Sequence, residues 1–68
     1  MPDVVCHLGD LLEQRGMTLT ELAEAVGVTT VNLSILKNNR AKAIRYSTLV
    51  AICEALDCTP GELLTISE

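Results

Sequence analysis

Apolar positions return at helical spacing through most of the chain, in four stripes. Leu8, Leu11 and Leu12 share one side of a segment ending at Arg15, and Leu22, Ala23 and Val26 share one side of the next. Leu33 and Leu36 make a third stripe, and Leu49, Ile52, Cys53 and Leu56 a fourth. The residues between the stripes are helix punctuation. Gly16 stops the first helix, with Arg15 suited to its negative end. Thr18-Leu19-Thr20-Glu21 is a capping box, Gly27 supplies positive φ, and Thr29 caps by accepting a backbone N–H. Asn38-Asn39-Arg40 places asparagine where a left-handed closing residue is needed, and Thr59-Pro60-Gly61-Glu62 combines a cap, a proline at the first helical position and a closing glutamate.

The pattern predicts helices from about Cys6 or His7 to Arg15, from Leu19, from about Thr30 to Asn38 and from about Tyr46 to Leu56. A last one of one or two turns runs through Leu63 and Leu64. For the fourth helix, Ser47 is the better cap by residue type. Asp3-Val4-Val5 and Leu64-Thr65-Ile66-Ser67 are apolar and β-branched, which suits short strands pairing within one chain or between chains. The centre is Leu19 to Leu36: two short helices joined at Gly27, with Ala23 small enough for a close crossing and Val28 and Leu33 inside the bend. That is the layout of a helix-turn-helix. The fold class predicted is all-α, five helices with short terminal strands, as one domain over 1–68 whose helix-turn-helix unit spans about 19–38.

Sixty-eight residues hold one small core, and a chain this short buries only about 60 % of its unfolded surface. With 49 % hydrophobic residues and Tyr46 as its single aromatic, the core is aliphatic and apolar surface is left over. Self-association, through Leu63, Leu64 and Ile66 on the last helix and the chain ends, is the expected outlet. No run approaches the roughly 18 apolar residues of a membrane span, and the first ten residues lack the basic start of a signal peptide, so a cytoplasmic location is expected. Cys6, Cys53 and Cys58 contain no CxxC and read as small buried hydrophobes. A zinc site using His7 with Cys6 lacks ligand spacing, so neither metal nor cofactor is expected. No nucleophile or acid–base set stands out, which points away from an enzyme.

Net charge is −4, but its distribution matters more than its sum. From Ala25 to Cys53 there is no acid, and Lys37, Arg40, Lys42 and Arg45 give that interval +4 against −8 for the remainder. A nucleic-acid module needs positive charge only where it meets phosphate.

Ala23, Gly27, Leu33 and Leu36, with Leu22, Val26 and Val28 between, resemble the alanine, glycine and apolar pattern of the phage repressor and Cro-type (XRE-like) helix-turn-helix family. The resemblance runs from about Cys6 to Leu64 and is closest to short single-domain members. It implies a repressor-like DNA-binding domain that regulates transcription by binding operator DNA as a homodimer, with no small-molecule substrate. It also moves the start of the fourth helix to Arg45.

With Leu33 and Leu36 inward, a turn of about 100° per residue leaves Val31, Ile35 and Asn38 outward and Thr30 beside them. The resemblance assigns base contact to Thr30, Val31 and Ile35, with Asn32 and Ser34 at the edges. Phosphate contact falls to Thr18 with the start of helix two, to Thr29 and Asn38, and to Lys37, Arg40, Lys42 and Arg45. Three departures stand out. Val31 and Ile35 reach only apolar groups such as the thymine methyl; Leu19 replaces a common glutamine; and Leu12 and Lys37 replace an arginine–glutamate pair. The apolar outer face also admits a rival reading, an antitoxin-like or anti-repressor-like module that docks a protein, which the pI near 4.7 favours.

Overall fold

Six side chains, Leu8, Leu22, Leu33, Ile52, Leu56 and Leu63, are fully buried, and together they come from all five helices. They form the centre of a computed structural model that describes residues 3–67. The elements are β1 (Asp3–Cys6), α1 (Leu8–Arg15), α2 (Leu19–Val26), α3 (Thr30–Lys37), α4 (Tyr46–Leu56), α5 (Pro60–Leu63) and β2 (Leu64–Ser67). The architecture is thus the five-helix class with terminal strands. The domain expected over 1–68 includes residues 1, 2 and 68, which lie outside the described residues.

Local signals set most boundaries. Gly16 and Gly27 close α1 and α2 with φ of 64° and 83°. Thr18 accepts from Glu21 N–H while Glu21 accepts from Thr18 N–H, and Thr59 and Glu62 repeat that box at α5. Thr29 Oγ1 accepts from Asn32 N–H at 3.1 Å. Asn39 and Asp57, at φ 60° and 50°, turn the chain after α3 and α4 without glycine.

At the ends the expected strands form, and they shift the adjoining helix bounds. β1 and β2 pair antiparallel within the chain, with Asp3 opposite Ser67 and Cys6 opposite Leu64. Because His7 N–H donates to Leu63 C=O at 2.8 Å, the chain stays extended through Cys6, and α1 begins at Leu8 rather than at Cys6 or His7. The same pairing ends α5 at Leu63 and gives Leu64 to β2. α3 stops at Lys37, and α4 starts at Tyr46 with Arg45 in the cap position, so Ser47 is not a cap. Of the residues expected to supply spare apolar surface, Leu63 is buried and Leu64 half-buried, while Ile66 is exposed together with Val4, its partner in the sheet.

Two side chains, Arg15 and Asn39, tie distant segments together. Arg15 reaches past its own helix to the end of α4, donating from Nε to Leu56 C=O at 2.7 Å and from Nη2 to Asp57 C=O at 3.1 Å. Asn39 Oδ1 accepts from Cys6 N–H at 2.6 Å, joining the turn after α3 to β1. Cys6 and Cys53 are buried, Cys58 is half-buried and all three are free thiols. Among the described residues no single helix is long and apolar enough to cross a membrane, and no three His, Cys, Asp or Glu side chains are grouped to hold a metal ion.

Candidate nucleic-acid interface

The two central helices turn through 116° between Val26 and Thr30. Buried Ala23 and Leu33 make this crossing, while half-buried Val26 and Val28 close the bend. With Leu33 and Leu36 inward, the opposite side of α3 faces out: Thr30, Val31, Asn32, Ile35 and Asn38 are all exposed. Val31 is 66 % exposed and Ile35 41 %. Ser34 is half-buried at the edge, and its Oγ accepts from Asn38 Nδ2 at 3.3 Å.

Arg40, Lys42 and Arg45 are exposed on the segment between α3 and α4. Lys37 is not with them. It follows Leu33 by one turn, and its methylene stem lies against α1, where a Cβ on Gly9 would stand 3.2 Å from Lys37 Cε. Leu12 is buried and Lys37 rests over a neighbouring glycine, so aliphatic packing occupies the ground of an ion pair. At the start of α2, Thr18 N–H is already given to Glu21, which leaves the first N–H groups of the helix. The Thr18 N–H, and after it the Thr18 hydroxyl, hold the Glu21 carboxyl below its usual range, keeping a negative charge at that spot.

The sequence places the start of α4 at about Tyr46, as found, but the open N–H groups there are not among the expected phosphate contacts. Unlike α2 and α5, this helix has neither a capping side chain nor an acid in its first turn. Its orphan N–H groups open beside Arg45 and 85 %-exposed Tyr46, next to a cleft of about 320 Å³ that Asn32, Arg45 and Thr48 line with apolar residues of α3. Such an end attracts an anion. The usable signal was negative: a helix start with basic neighbours and nothing to cap it.

The model of the Cro/C1-type HTH DNA-binding domain matches residues 7–68. The chain is 56 % identical over 61 residues to an uncharacterized HTH-type transcriptional regulator, YozG, of Bacillus subtilis (strain 168), covering 90 % of this chain and 73 % of that protein. Among solved structures it resembles the transcriptional regulator VanUg, at 33 % identity and TM-score 0.78, over 97 % of this chain and 87 % of that one. SinR, a master regulator for biofilm formation, in complex with DNA matches at 26 % identity and TM-score 0.73, over 79 % of this chain and 86 % of that one. Against the chain in a SinR protein/SinI protein complex, the match is 25 % identical with TM-score 0.75, covers 82 % of this chain and spans about half, 54 %, of that one.

Proposed function

The chain belongs to the Cro/C1-type helix-turn-helix DNA-binding family of transcriptional regulators, and on that premise we propose that it reads a specific operator as a homodimer. It acts as a single domain whose α2–α3 unit presents α3 to the major groove. One observation carries this reading: the outward strip of α3 runs directly into an acid-free, basic segment that ends at the uncapped start of α4. Thr30, Val31 and Ile35, flanked by Asn32 and Ser34, read base edges, with the two apolar side chains meeting thymine methyls. Thr29, Asn38, Arg40, Lys42 and Arg45 hold phosphates together with the first N–H groups of α4, and Thr18 with the start of α2, and Lys37, contribute from the flanks.

The test has two parts. Affinity for duplex DNA falls steeply with salt, and Arg40→Ala or Lys42→Ala lowers the slope by roughly one for each phosphate left unneutralised. Unchanged slopes make the basic segment a solvated surface. Val31→Ser loses on the order of 1 kcal/mol on an operator selected from random duplexes and almost nothing on random DNA. Val31 is a cleaner probe than Ile35 because it is the more exposed of the two. Equal affinity of Val31→Ser and wild type for the selected operator removes α3 as the reader.

A further inference from the structure

A sheet of two strands has two outer edges, and here they differ. His7 N–H pairs inward with Leu63 C=O, so the alternation of an antiparallel ladder turns the backbone groups of Val4 and Cys6 outward on β1, and those of Leu64 and Ile66 outward on β2. On β1, Asn39 already takes the Cys6 N–H, and Val4 faces a groove bordered by the Arg40–Lys42 segment. On β2, Leu64 N–H is taken by Pro60 C=O, but the outward groups of Ile66 have no partner among the described residues. β2 also lacks the devices that blunt an edge, since Leu64–Ser67 contains no charge and no proline.

The side chains point the same way. Val4 and Ile66 are direct cross-strand neighbours on the face that carries Cys6 and Leu64 into the core, yet they are 55 % and 64 % exposed. The sheet therefore overhangs the core with an uncovered apolar pair.

We propose that the outer edge of β2 is where two copies of this chain meet, β2 pairing antiparallel with β2 of the second copy to form one four-stranded sheet. This deepens, and rests on, the homodimer reading above. An antiparallel edge is self-complementary about a two-fold axis, so a second copy is the occupant that satisfies both edges at once. Val4 and Ile66 of both copies then form one strip. β1 stands between Asn39 and β2, so pairing at β2 leaves the basic segment and α3 open to DNA. The area is small: four residues per copy cover well under the roughly 800 Å² per partner of a standard interface. Free dimers are therefore weak, and DNA carrying two half-sites completes them by raising the effective concentration.

The experiment compares binding of the full chain to duplexes carrying one half-site or two, with half-sites taken from a selected operator. Sedimentation from micromolar to millimolar concentration runs alongside. Wild type binds the two-site duplex cooperatively. Ile66→Lys and Ile66→Pro keep the one-site affinity and lose roughly 10²-fold on the two-site duplex. The N–H that proline removes points outward, so the β1–β2 ladder keeps its bonds, and the lysine variant preserves the test if proline lowers the melting temperature. Cooperativity retained in both variants overturns the β2 edge while leaving the homodimer standing. A wild type without cooperativity that stays monomeric at millimolar concentration overturns the homodimer itself, and the edge with it.

Discussion

Asn39 holds a left-handed backbone, φ 60°, and with the same side chain accepts the Cys6 N–H at 2.6 Å. Asn39→Gly separates these roles. Glycine relieves left-handed strain but gives the unfolded chain more freedom, and the two effects, each on the order of 0.5–1 kcal/mol, largely cancel. What remains is the lost bond, which joins residues 33 apart and leaves a part-buried N–H without its acceptor. Leaving such a group unpaired costs about 1–3 kcal/mol. We therefore expect Asn39→Gly to destabilise the domain by about 1–2 kcal/mol, lowering the melting temperature by about 4–15 °C at this chain length. Asn39→Asp keeps an acceptor beside Arg40 and Lys42 and stays close to wild type, whereas Asn39→Ala loses the bond and retains the strain, and so melts lowest. Thermal unfolding followed by far-ultraviolet circular dichroism measures the series. A glycine variant that melts at or above wild type refutes the role given to the bond.

Arg15→Ala removes the donors to Leu56 and Asp57 C=O, and should cost about 1 kcal/mol in urea unfolding; an unchanged midpoint would mean that water caps α4 equally well. Gly27→Val forces a β-branched residue to φ near 83° and should cost on the order of 1 kcal/mol or more, although a side chain there meets open space, so any loss is backbone strain rather than a clash. The half-buried Cys58 thiol is pushed up from 9.0 to about 11, chiefly by desolvation and then by Cys53 and Glu62, with Arg15 opposing. Unfolding releases that proton between those pH values, so this contribution to stability is complete below pH 9.0 and is lost as pH rises through about 11. Cys58→Ala should flatten the alkaline limb of melting temperature against pH, and superimposable curves for the two proteins would contradict the assignment.

Residues a few positions apart carried the legible part of the fold. The boxes at Thr18–Glu21 and Thr59–Glu62, the glycine stops and the apolar stripes act through bonds and faces three or four residues long, so spacing alone places them. The outward set Val31, Ile35 and Asn38 was legible for the same reason, because two buried leucines and the helical rotation fix the opposite side. The open N–H groups at the start of α4 were harder to see, since they show only as a missing cap, and the Ser47 hydroxyl offers a cap by residue type that the structure does not use.

The sequence by itself thus determined the helices, their order, the turn at Gly27 and the concentration of positive charge between Ala25 and Cys53. Only the tertiary structure decided that the two ends pair within one chain, that Leu63 goes inside while Ile66 stays out, and that Lys37 lies over Gly9 apart from the other cations. It also decided that Arg15 and Asn39 serve elements 41 and 33 residues away. Each outcome depends on which distant segment is carried alongside. That is set by closing the common core around Leu8, Leu22, Leu33, Ile52, Leu56 and Leu63, a condition on the whole chain that no local window of sequence contains.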